Sequence, residues 1–242
     1  MSLRARWLAA SLIVLALGAT LAGVLILDTD REPAWLAARW PIDLGKPLGA
    51  MADWRLRALQ SDRALCRLVL KAPHTEAVEV SDSAVNGTDA NGCGWSNSVR
   101  LAAVGSTRIA VDKVTCELTA ATALWVAHEV QPAAKAIFGE PVAALRHLGG
   151  YACRNIRGNA AHAHIISEHA RANALDIAVF VLASGRPVSV HKDWGKAGDE
   201  GRFLAQVHAG ACRYFRVAIG PAYNAAHRDH FHYDRGRYRA CR

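Results

Sequence analysis

No two cysteines in this chain are spaced C-x-x-C, which excludes a cysteine-built zinc ribbon. No cysteine lies near Gly23, which excludes a lipoprotein anchor. Prolines number only eight and form no proline-rich repeat. Internal repeats, low-complexity tracts and RNA- or DNA-reading motifs are also absent. Without such a motif, the net charge of +8 does not point to nucleic acid. An anionic envelope polymer or lipid headgroups suit it better.

Charge is also missing from Trp7 to Leu27, a run of 21 residues that follows Arg4 and Arg6. As a helix it would cover about 30 Å, the thickness of a bilayer core. A cleaved signal peptide is the competing reading. The run is long for such a segment, and no clear A-x-A site precedes Asp28. The expected layout is therefore a cytoplasmic tail (1–6), a single-pass signal-anchor in the inner membrane (7–27), a connector (28–60) and a periplasmic domain (61–242), oriented by the positive-inside rule. Pro33, Pro41, Gly45, Pro47 and Gly49 break up the connector. Its Trp54 and Leu56 suit either the membrane surface or the domain. All six cysteines (Cys66, Cys93, Cys116, Cys153, Cys212, Cys241) follow the apolar run, as three disulfides in an oxidising compartment require. Cys66–Cys93 and Cys212–Cys241 are plausible pairs.

Within the domain, Glu117–Val130 reads as a helix, with Leu118, Ala121 and Trp125 on one side. Pro132 can start a further turn and Gly139 can stop it. Val142–Leu148 reads as a strand. Leu175–Leu182 and Pro187–His191 read as a hairpin around Ser184-Gly185. Glu200–Cys212 has helical spacing, and Phe215–Ile219 and His230–Tyr233 are short strands. Strands follow strands while helices stay apart. The expected class is α+β: an antiparallel sheet with flanking helices, stapled by disulfides, after one transmembrane helix.

Two stretches carry the chemistry. SEHARANALD (Ser167–Asp176) and HRDHFHYD (His227–Asp234) hold four of the 11 histidines and several aspartates. Such residues build a Zn²⁺ site with an open position. His169 and Asp176 would lie roughly 23 Å apart on one strand and about 10 Å apart on one helix. They can share an ion only if the segment between them folds back, and the small residues 170–174 allow that. His230 and His232 share one strand face, about 7 Å apart. One can bind metal while the other reaches the water bound to it. This favours His230 as the catalytic group, with His227 as a second; Asp229 can orient a ligand histidine or cap the loop. The Arg154 guanidinium can grip a substrate carboxylate in a two-pronged bond or hold a structural salt bridge. Ser167 suits a loop-shaping role, and Trp194 a loop anchor. His162 and His164 suit an exposed loop or strand.

The spacing His169-x6-Asp176 followed by His227-x-x-His230-x-His232 resembles the zinc superfamily of lysostaphin, D-Ala-D-Ala metallopeptidases and sonic hedgehog. Its ending most resembles the penicillin-insensitive murein endopeptidases. That resemblance implies His169, Asp176 and His232 as Zn²⁺ ligands, and His230 and His227 as catalytic residues. One departure is Ala172, where the superfamily commonly has glycine; a positive φ there would cost stability. CRLVL, GCGW, QPAA, YACRN, SEHARANALD and GPAYNAAHRDHFHYD also resemble the bacterial extensin-like C-terminal domain family, over roughly residues 62 to 242. Together these imply a zinc-dependent envelope peptidase or amidase acting on peptidoglycan or a related polymer. The alternative is a zinc-containing module that binds the wall without cleaving it, as sonic hedgehog keeps zinc in a binding role. A metal-free structural domain is a third possibility.

Overall fold

The computed structural model describes residues 7, 11–15, 17–18, 41–49, 52–71, 78–82, 86–89 and 91–242. Most of the expected membrane segment 7–27 and the connector from 28 to 40 lie outside them. Residues 11–15 are helical and exposed. Among the described residues no helix is long and apolar enough to cross a membrane. Residues 41–242 form one compact unit.

That unit begins earlier than residue 61. Helix α1 (Ala52–Ala58) buries Trp54 and Leu56, and Ile42, Leu44 and Leu59 are buried as well. The second half of the connector is therefore part of the domain. Helix α2 (Arg63–Leu70) starts at Asp62, whose carboxylate accepts from the Leu65 N–H at 2.9 Å. Strands β1 (Val78–Asp82), β2 (Gly87–Thr88), β3 (Gly94–Trp95), β4 (Ser98–Val104) and β5 (Thr107–Thr115) follow. Then come α3 (Cys116–Trp125), a π-helical turn (Val126–Val130), α4 (Gln131–Phe138) and β6 (Val142–Gly149). The chain continues through β7 (Ala174–Leu182), β8 (Pro187–Ser189), α5 (Val190–Asp193), α6 (Asp199–Ala211), β9 (Val217–Ile219), β10 (Phe231–Asp234) and β11 (Ala240–Cys241).

The main sheet runs β1-β4-β5-β6-β7-β10-β9-β11, with β8 also on β7. The α+β class holds, but the sheet is mixed rather than antiparallel. β5 pairs parallel to β6, and β11 parallel to β9. The first follows from the long α3–α4 crossover between β5 and β6, which returns the chain in the same direction. The helix read over 117–130 continues through the π turn to Phe138. There the Gln131 N–H bonds the Val126 carbonyl five residues back, just before Pro132, which has no N–H to give. Gly139, at φ 74°, ends it as expected. β8 stops at Ser189, short of His191, because Ser189 caps α5: its hydroxyl accepts from Lys192 N–H, while Asp193 accepts from the Ser189 N–H.

All ten residues of α3 are buried, so it is a core helix rather than an amphipathic one. Trp125 sits edge-on to Phe180, Phe215 and Tyr233, and its indole N–H donates to the Val207 carbonyl at 2.9 Å. Glu117, also on α3, is fully buried and paired with Arg235 at 2.8 Å.

All six cysteines are paired: Cys66–Cys116, Cys93–Cys153 and Cys212–Cys241. The last pair is as expected, and Cys66–Cys93 is not formed. Cys66 lies on the buried face of α2 and meets the first residue of α3, whereas Cys93 tethers the β2–β3 hairpin to the segment that carries Arg154.

Candidate metal centre

The fold-back between His169 and Asp176 is a 3₁₀ turn followed by a left-handed residue. Ser167 starts it, its hydroxyl accepting from the His169 N–H at 3.3 Å. The turn covers Glu168–Arg171 and closes at Ala172, with φ 55° and ψ 24°. An L-residue in this region costs roughly 1–2 kcal/mol. The turn is secured against that cost at the start of α3. The Asn173 side-chain oxygen accepts from the Thr115 hydroxyl at 2.7 Å, and the Ala172 carbonyl accepts from the Thr115 N–H at 2.8 Å. The chain then enters β7, and Asp176 is its third residue.

The sheet completes the site. One edge of β7 pairs with β6; the other pairs with β10 over its first half and β8 over its second. In the β10 register His232 lies directly opposite Asp176. Antiparallel partners face the same side, so the two side chains meet over one face. His169 reaches the same point from the 3₁₀ turn.

Three distances define the cluster. His169 Nε2 is 3.2 Å from Asp176 Oδ2 and 3.1 Å from His232 Nδ1, and His232 Nδ1 is 2.9 Å from Asp176 Oδ1. The other ring nitrogens decide the chemistry. His169 Nδ1 lies 3.1 Å from the Gly150 carbonyl, which can only accept, so Nδ1 carries the proton. His232 Nε2 lies 3.0 Å from Asp234 Oδ2, which makes it the donor in turn. In their neutral forms both rings therefore aim a lone pair at the Asp176 carboxylate. Three acceptors converge with no donor among them, and such a set needs a proton or a cation at its centre.

The donor set fits zinc. Two imidazoles and a carboxylate are an ordinary three-residue zinc set that leaves one position open. Ligands about 2.0–2.1 Å from a tetrahedral ion lie roughly 3.3 Å from one another, close to the separations here. Among the described residues, His169, Asp176 and His232 each offer a donor atom within 4.8 Å of the others. Without a cation the arrangement holds a proton. Burial alone would lower the His232 pKa, but hydrogen bonds to Asp176 and Asp234 outweigh it and raise the value to about 9. Burial likewise opposes ionisation of Asp176, yet the shared hydrogen bonding and charge of His169 and His232 hold it well below the usual carboxylate range.

His230 and His227 stand beside this cluster. His230 Nε2 points towards it, 3.6 Å from Asp176 Oδ1. His230 Nδ1 donates to Asp229 Oδ1 at 2.8 Å, so Asp229 orients His230 rather than a candidate ligand. The His227 ring lies 5.3 Å from that of His230 and 5.8 Å from that of His232. Its Nδ1 donates to the Asn224 side-chain oxygen at 2.6 Å, leaving Nε2 as the basic nitrogen. Burial first, then the charges of His232 and His230, lower the His227 pKa to about 4, which keeps the ring neutral at neutral pH.

These groups open into a cleft of about 690 Å³. Arg154 lines it, half-buried, close enough to sense the charge of Asp176. His162 also lines it, stacked on Tyr238, while His164 is exposed; neither belongs to the metal-ligating cluster. Trp194 packs edge-on against His208 and Phe231, away from the cleft. Two contributors escaped the sequence reading. Asp234 was legible in principle, since it follows His232 by two residues and shares its strand face. The Gly150 carbonyl was not, because a backbone acceptor leaves no residue-type signal.

A family model described as extensin-like protein C-terminus matches residues 64–242. No curated protein and no solved structure matches the chain.

Proposed function

The chain belongs to the extensin-like protein C-terminus family, and from that premise we propose that its cleft is a zinc-dependent hydrolytic centre of the cell envelope, acting on peptidoglycan peptides. The observation that carries the reading is the meeting of three acceptors, His169 Nε2, His232 Nδ1 and an Asp176 carboxylate oxygen, within 2.9–3.2 Å. The likeness of these residues to the zinc motifs of the lysostaphin and murein endopeptidase superfamily supports it.

His169, Asp176 and His232 would hold the ion. Zinc supplies a Lewis acid that brings the pKa of water down to about 7 and polarises a scissile carbonyl. His230 takes the proton of the attacking water at Nε2. Asp229, bonded to Nδ1–H, stabilises the imidazolium that results. His227 enters neutral, with Nε2 free to accept a hydrogen bond, and holds the water or leaving group in line. Arg154 grips a carboxylate of the peptide. Asp234 fixes His232 with Nδ1 turned towards Asp176, the support that an imidazole holding a metal would receive. The second reading, a wall-binding module, would have no use for His230 and His227 facing the open side.

The three disulfides suit an oxidising compartment, and the charge-free run 7–27 suits an inner-membrane anchor with the domain in the periplasm. Incubating the full chain with purified peptidoglycan is expected to release peptide fragments, identified by mass, and a chelator is expected to stop their release. Equal release with and without chelator would remove the metal from the account.

A further inference from the structure

Among the described residues five arginines line the cleft, Arg154, Arg157, Arg171, Arg237 and Arg239, and no lysine does. Arg239 is taken up by Asp53 at 2.6 Å, and Arg154 sits near the candidate metal cluster. The other three arrive from separate segments. Arg157 follows the bridge at Asn155, Arg171 ends the 3₁₀ turn, and Arg237 lies in the link from β10 to β11. All three are exposed and make no ion pair among the described residues.

The carboxylates of the cleft form no ion pair with them among the described residues, although Glu168 senses the charge of Arg171. Asp176 and Asp234 are engaged by histidines. Glu168, the neighbour of Arg171, accepts from the Asn173 side chain at 3.0 Å. The cleft lining thus carries three exposed guanidiniums from three separate segments. Tyr238, stacked on His162, and Ile165 add apolar surface to the same lining.

We propose that Arg157, Arg171 and Arg237 form a carboxylate subsite. The cleft then takes peptides that carry a free carboxylate away from the bond held at the candidate metal centre. This deepens the hydrolase reading, since it rests on the cleft being the substrate site. Guanidiniums to the exclusion of ammoniums favour a flat, two-pronged acceptor such as carboxylate. Confinement of these arginines to the lining of one cleft favours a short peptide over an extended polymer face.

The test reads binding, without turnover. A fluorescent stem peptide with free carboxylates and its carboxamide analogue are titrated into the detergent-solubilised full chain, with chelator present. The free acid is expected to bind at least about tenfold tighter, the scale of one or two charge-assisted bonds. The combined substitution Arg171→Gln and Arg237→Gln, at exposed positions, is expected to cut the difference severalfold, leaving the share of Arg154 and Arg157. Equal affinity of the parent for both peptides, or full discrimination retained by the double variant, would overturn the subsite. Because no hydrolysis is measured, failure of the hydrolase reading shows separately, as absent peptide release.

Discussion

Replacing His230 by alanine is expected to lower hydrolysis of a peptidoglycan peptide by about 10²–10⁴-fold, the usual contribution of one general acid–base group. The metal content is expected to stay that of the parent. The two effects separate because His230 stands beside the candidate ligand set without belonging to it. Its Nε2 faces Asp176 from 3.6 Å, while the three converging atoms belong to His169, Asp176 and His232. Among the described residues the His230 side chain makes no hydrogen bond beyond the one from Nδ1–H to the partly exposed Asp229. The check is kcat/KM on a defined muropeptide together with zinc content on the same preparation. Unchanged kcat/KM in the variant would sink the catalytic assignment.

Arg235→Met is expected to destabilise the domain by about 3–5 kcal/mol, the cost of leaving one partner of a buried ion pair alone. Glu117 is fully buried on the core helix, and Arg235 donates to it through Nε and Nη2, each at 2.8 Å. Arg235 also binds Asp53 on α1 at 2.7 Å and the Tyr214 carbonyl at 3.1 Å. Burial pushes the Glu117 pKa up, and Arg235 is the chief group opposing it. Adding Glu117→Leu to the same variant is expected to recover part of the loss, since the stranded carboxylate goes with it. Denaturant midpoints at fixed slope measure both. A single variant within about 1 kcal/mol of the parent would mean that water reaches Glu117. The pair matters to the site because Arg235 directly follows Asp234, whose carboxylate fixes His232.

What the sequence made legible followed periodicity. His230 and His232 alternate on a strand, so their shared face could be read before any fold was known. The meeting of His169 and Asp176 was legible as a requirement, a fold-back, but not as a structure. Its device is a left-handed Ala172 tied to Thr115, 57 residues upstream of it in the chain. No local pattern announces that tie.

The β4–β5 hairpin was missed despite the alternation of buried Thr107, Ile109 and Val111. Register shifts on β4 around Leu101 break its own alternation and hide the pairing. The disulfide partners of Cys66 and Cys93 depend on which elements pack together, which spacing alone cannot supply. The connector looked like a linker because prolines and glycines interrupt it. Yet Trp54 and Leu56 are buried, and Asp53 accepts from Arg216, Arg235 and Arg239.

The central claim is that the three converging acceptors hold zinc. Elemental analysis of the purified full chain, beside its His232→Ala variant, tests it most directly. The account predicts one zinc per chain in the parent and none in the variant. A parent without zinc, or a variant that keeps as much as the parent, would contradict it.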